Sequence, residues 1–140
     1  MTTLRSGSTV VVGESIGSSQ RAATRVGMFL FGVAHWTAHR IHYDSDWARH
    51  EGYRDVLVPG PLMTAWQVDL VAAWAGSPAA VIAMEDRNIA PAFPGDVLVV
   101  TGQVTAVEHG PDATTVTCNT SVRCDDRDLV TGTYTVQLPS

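Results

Sequence analysis

Three of the chain's five histidines fall within the eight residues His35-Trp36-Thr37-Ala38-His39-Arg40-Ile41-His42. Tyr43 and Asp44 follow, and apolar chain lies on both sides. Histidine is the side chain whose unperturbed pKa lies nearest neutrality, so a cluster beside an apolar wall points to proton transfer. Further on, Val58-Pro59-Gly60-Pro61-Leu62 makes a turn that opens a very apolar stretch.

Other chemistries fit the same residues less well. His35, His39 and His42 stand at i, i+4 and i+7, which on one continuous helix would form a metal-binding face. No acidic residue shares that spacing, and the helix is not expected to continue so far, so no metal and no cofactor are expected. His42 is also open to a structural reading, bonded to a nearby carbonyl. Arg40 is placed either to pair with Asp44 or Asp46 or to reach a phosphate. Asp69 is a carboxylate on an otherwise apolar helix: either an acid of raised pKa in a pocket, or a group bonding a neighbouring loop or a dimer seam. Trp36, Trp66 and Trp74 read as core or pocket wall.

The elements that must position these groups can be read from periodicity. At 140 residues the chain is long enough for one domain, residues 1–140, with a real core. Ser8–Val12 reads as a first strand and the polar Glu14–Thr24 as a loop or irregular edge. Val26, Phe29, Leu30 and Val33 have helical spacing over Arg25–His35. Asp44 caps a short helix beginning at Ser45, which Glu51-Gly52-Tyr53 ends. Pro61 suits the first position of a helix, where its missing N–H has no intrahelical partner. That helix is apolar all round and therefore expected to be buried; Gly76 and Pro78 stop it. Ala79–Asn88 reads as a strand. Val97–Glu108, Thr115–Cys124 and the stretch from Val130 to Leu138 read as a meander joined by tight turns. Buried helix plus meander implies an α+β domain, its sheet curled around the helix.

Composition excludes several classes. The formal charge is −5, and the nine basic residues are all Arg, with no basic block, so neither nucleic acid nor membrane is an expected partner. The longest apolar run, Pro61–Ala75, reaches about 22 Å as a helix, too short to cross a bilayer. Cys118 and Cys124 lie in one strand, about 20 Å apart if extended, and read as reduced thiols. With no secretory signal in view, the expected compartment is cytoplasmic.

The motifs themselves resemble a known family. Ile41-His42-Tyr43-Asp44 is similar to the end of the I-H-x-D motif of MaoC-like dehydratases and hydratases, which have the hot-dog fold. His39-Arg40-Ile41-His42-Tyr43-Asp44, Gly52-Tyr53 and Gly60-Pro61-Leu62 together resemble a subgroup that includes the mesaconyl-CoA hydratases. Ala90-Pro91-Ala92-Phe93-Pro94-Gly95-Asp96 resembles the family's turn before a core strand. The resemblance runs roughly from Phe29 to Leu138 and extends to the dehydratases of fatty-acid-synthase type.

It implies an enoyl-thioester hydratase or 3-hydroxyacyl-thioester dehydratase, a hydro-lyase acting on acyl-CoA or acyl-carrier-protein substrates. His42 would be the general acid/base and the Gly60 N–H the oxyanion donor. Thr37 would orient water, while Trp36, His39, Arg40, Trp66 and Asp69 would bind substrate. A homodimer, or a heterodimer with a homologue, is implied as well. The sequence departs from the pattern where it counts. Thr37 stands where the family has aspartate or asparagine, Pro59 stands for a histidine, and Ala65 for the glutamate of the carrier-protein dehydratases. The alternatives are therefore a fold repurposed as a cyclase or rearrangement catalyst in a polyketide or other secondary-metabolite pathway, or a non-catalytic partner subunit.

Overall fold

The computed structural model describes residues 4–77 and 80–140. One antiparallel sheet contains β1 (Ser15–Ala22), β2 (Val81–Asn88), β3 (Val97–His109), β4 (Ala113–Cys124) and β5 (Arg127–Pro139), in the order β1-β3-β4-β5-β2. Three helices accompany it: α1 (Arg25–His35), α2 (Ser45–His50) and α3 (Gly60–Ala75). The α+β layout is the expected one, with the β3–β5 meander at its centre and α3 packed against all five strands.

Strict alternation makes this core. On β4, Thr114, Val116, Cys118, Thr120, Val122 and Cys124 all point inward and are buried. Leu129, Val130, Tyr134, Val136 and Leu138 of β5 join them, and Met63, Trp66, Leu70, Val71 and Ala75 close the space from α3. Burial pushes the Cys118 thiol up to about 11. Both cysteines are free.

A polar row crosses the middle of this apolar face. Gly102, Thr120, Gly132 and Asp86 are successive neighbours on β3, β4, β5 and β2. The fully buried Gln67 of α3 sits over them. Thr120 Oγ1 donates to Gln67 Oε1 at 2.6 Å, and Gln67 Nε2 donates to Asp86 Oδ1 at 3.3 Å. The Tyr134 hydroxyl donates to both Asp86 oxygens at 2.9 and 3.0 Å. A Cβ at position 132 would collide with Asp86, Thr120 and the Tyr134 ring, so glycine makes the room for this network.

Several expectations are corrected. The first strand is Ser15–Ala22, the irregular edge of the two readings of that stretch, while Gly7–Thr9, overlapping the start of the strand expected at Ser8–Val12, is a single 3-10 turn. Tertiary pairing with β3 overrides the weak local pattern, because an edge strand needs only one inward anchor, here Ile16. Gly60 rather than Pro61 takes the first position of α3. Nor is α3 covered on every side: Pro61, Asp69 and Ala73 stay exposed along one stripe. Pro78 and Ala79, expected to end the helix and begin a strand, lie outside the described residues. The expected helix over Arg25–His35 is present, but Val26, Phe29, Leu30 and Val33 are exposed. No helix among the described residues is long and apolar enough to cross a membrane.

Candidate active site

The histidine segment owes its shape to two helix ends. α1 stops at Trp36, which takes the left-handed conformation (φ 57°) and donates its N–H to the Gly32 carbonyl. Residues 37–39 then run on to a 3-10 turn, Arg40–His42. Thus His35, His39 and His42 never share a helix, and among the described residues no group of metal-ligating side chains converges. The His39 ring instead accepts the Ile41 N–H at 3.2 Å, capping the turn. Asp44 accepts the Trp47 N–H at 3.0 Å and caps α2, as the sequence implied. This bond and the Arg40 guanidinium hold the Asp44 carboxyl below its ordinary range.

His42 is fixed against the strand-like segment that leads to α3. The Leu57 N–H donates to the Ile41 carbonyl at 2.9 Å. The His42 ring returns the contact, Nδ1 to the Leu57 carbonyl, at 2.9 Å. A carbonyl can only accept, so Nδ1 carries a proton, and in the neutral tautomer the lone pair is on Nε2. No described residue bonds Nε2. Two cavities meet at this ring. One lies under α1, lined by Met28, Phe29, Val33, Trp36 and Thr37. The other is lined by Tyr53, Leu57, Met63, Gly60 and Asn88. Gly60 and Asn88 also line a third hollow, between the open stripe of α3 and β2, together with Ala65, Asp69 and Asp86.

The remaining expected site residues divide. Thr37 faces the first cavity, yet its hydroxyl bonds His35 Nδ1 at 3.1 Å, and no bond joins it to His42. Trp36 is 81% exposed at the mouth of that cavity. Trp66 is buried among the core residues. Asp69 reaches Arg21 of β1 at 3.5 Å, and its side chain is well exposed. Arg40 is bound to Asp44 and stacks over Trp47 at 4.3 Å, the structural pairing of its two readings. Neither His39 nor Arg40 lines any of the three cavities. No described carboxylate hydrogen-bonds His42. Asn88 and Asp86 went unnoticed in the sequence. Spacing could not single them out, because Glu85-Asp86-Arg87-Asn88 is polar at every position.

A protein-family model for hydroxyacyl-thioester dehydratase type 2 matches residues 12–94, which span His42, Gly60 and Asn88. The chain belongs to this family. Mesaconyl-C(4)-CoA hydratase of Chloroflexus aurantiacus is 36% identical over 67 residues, 47% of this chain but only 23% of that protein. Among solved structures, the (R)-hydratase from A. caviae involved in PHA biosynthesis superposes with a TM-score of 0.84 at 20% identity, covering 94% of this chain and 98% of that one. The ChsH1–ChsH2 complex from Mycobacterium tuberculosis contributes a chain with TM-score 0.82 at 23% identity, covering 93% and 98%. The dehydratase family thus has here the MaoC-like hot-dog fold, its curved sheet wrapped on α3.

Proposed function

We propose that this chain adds water to, or removes it from, an acyl thioester carried on CoA or an acyl carrier protein. The observation that carries the reading is the hydrogen bonding of His42: Nδ1–H spent on the Leu57 carbonyl, Nε2 without a partner among the described residues, and the residue lining a cavity shared with Gly60. In the hydration direction Nε2 removes a proton from water as the water oxygen bonds to Cβ. The double-bond electrons move toward the thioester oxygen, and the same proton then passes from Nε2 to Cα. The Gly60 N–H, at the positive end of α3, stabilises the oxygen while it is charged. The apolar cavity under α1 suits the acyl chain, and Thr37 and Trp36 at its edge contact the substrate there.

His42→Ala should lower crotonyl-CoA hydration, followed by loss of the enoyl absorbance, by about 10²–10⁴-fold while the circular dichroism stays unchanged. Undiminished turnover in the variant would sink this role.

A second reading has its own support. No carboxylate among the described residues bonds His42, and the Thr37 hydroxyl is taken by His35. That favours a site that binds and shapes a thioester intermediate, or one completed by a second hot-dog chain. An association edge exists for such a chain. Both edge strands carry one register irregularity, β1 between Ser15 and Gly17 and β2 between Val81 and Ala83. They differ in side chains: β1 shows Ser18, Ser19, Gln20 and Arg21, while the first half of β2 exposes Ile82 and Met84. Polar side chains protect an edge and apolar ones invite pairing, which supports a dimer through the first half of β2, of two copies or with a homologue.

A further inference from the structure

We propose that Asn88 is a catalytic residue of this site: its side-chain amide N–H is the second donor, beside the Gly60 N–H, to the thioester oxygen. This rests on the thioester reading above.

A helix start ordinarily offers several free N–H groups to an anion. α3 does not. Pro61 has no N–H, and the N–H groups of Leu62 and Met63 both turn back to the Pro59 carbonyl, at 3.0 and 3.4 Å. Only the Gly60 N–H is left without an acceptor among the described residues of this first turn. One donor is a thin oxyanion site, since such sites work by several preorganised dipoles aimed at one oxygen.

The Asn88 amide stands where a second donor is needed. A Cβ added to Gly60 would fall 3.0 Å from Asn88 Nδ2 and 3.1 Å from its Oδ1. The amide therefore occupies the space that a side chain at position 60 would take, directly beside the helix start. It lines both hollows that meet at Gly60, including the one that holds His42. Neither end of the amide has a hydrogen-bond partner among the described residues, so its donor is available.

Its backbone, by contrast, is held. Asn88 pairs with Val130 at the end of β2, and the next two N–H groups, of Ile89 and Ala90, both donate to the Leu129 carbonyl at 2.8 and 3.2 Å. The preceding inward residue, Asp86, has its carboxylate occupied by Tyr134 and Gln67 and does not compete for the Asn88 amide. In the proposed arrangement a substrate oxygen accepting from the Gly60 N–H takes its second hydrogen bond from Nδ2.

Asn88→Asp keeps the shape and removes the donor; Asn88→Ala removes the group. Both should lower kcat for crotonyl-CoA by about 10²–10³-fold and leave KM within a few-fold. Acetoacetyl-CoA, whose enolate absorbs in the near ultraviolet, supplies a readout without turnover. Wild type should bind it with the enolate band raised, and Asn88→Asp should bind it without the band. Gly60→Ala pushes a methyl into the amide, so it should impair wild type strongly yet add little to Asn88→Ala. A band unchanged in Asn88→Asp, or a loss confined to KM, overturns the donor role while leaving hydration intact. A band that depends on Asn88 in a protein with no crotonyl-CoA turnover keeps the donor pair and overturns the hydratase reading. No binding of either thioester overturns both.

Discussion

Two apolar surfaces of this molecule carry the same sequence signal and meet opposite fates. In the meander, every second residue of β4 is shut away, and Leu129, Val122 and Val136 are 0% exposed. On the rim, the helical stripe of α1 leaves Phe29 57% and Leu30 61% exposed, and β2 leaves Met84 57% exposed. Periodicity reports which face of an element is apolar. It says nothing about what covers that face. In the meander the chain covers itself, because β3, β4 and β5 are consecutive and tight turns return each strand to its neighbour. β2 lies at the edge of the sheet with no strand beyond it, and the α1 stripe stays exposed. Apolar surface is therefore left open where the proposed acyl site and the proposed pairing edge need it.

The contrast can be broken at either end. Leu129→Ala should destabilise the fold by about 2–5 kcal/mol, because the closed core cannot collapse around the lost volume. Urea denaturation measures this, and a change below about 1 kcal/mol would mean that the meander core yields like a surface. On the rim, Met84→Asp should leave the secondary structure intact and abolish association, read by light scattering at micromolar concentration. A wild-type monomer under the same conditions would refute the proposed pairing through β2. A smaller effect separates the two regions again. Asp44→Ala removes the α2 cap and should cost about 0.5–2 kcal/mol, confined to the segment that carries His42.

The acid limb of stability sharpens the same comparison. The Asp44 and Asp55 carboxyls are both held below their usual range, Asp44 by the Trp47 N–H and then Arg40, Asp55 by Arg25 and then the Val56 N–H. A depressed carboxyl stabilises the folded chain above its unfolded pKa, and that contribution is lost as pH falls through the lower folded value. Both groups belong to the rim, so acid should loosen the His42 segment before the meander. Hydrogen exchange across about pH 5 to 2 would show protection lost first over residues 40–57. Uniform loss would contradict the division.

Much of the fold was legible because its signals are local. Asp44 with Ser45-Asp46-Trp47 is a cap in any context, and the β3–β5 turns are marked by Gly110, Pro111 and Asp125-Asp126. β1 was legible only as a loop or an irregular edge, because its strand character comes from pairing with β3, far along the chain. The site was legible in part for the same reason. His42 and Gly60 stand in recognisable motifs, but Asn88 gains meaning only from the glycine it abuts, and Thr37 loses its expected partner to His35.

What the sequence determined by itself was the helices and the meander, the family, and the candidate residues His42 and Gly60. Those follow from side-chain period, caps and contiguous motifs, which are properties of neighbours along the chain. What the tertiary structure decided was which ring nitrogen of His42 is free, which apolar faces remain open, and which side chain stands beside Gly60. Each of these depends on a group brought from elsewhere: the Leu57 carbonyl, the edge position of β2, and the Asn88 amide. Hydrogen-bond geometry and burial are distances between residues remote in sequence, so only the folded chain sets them.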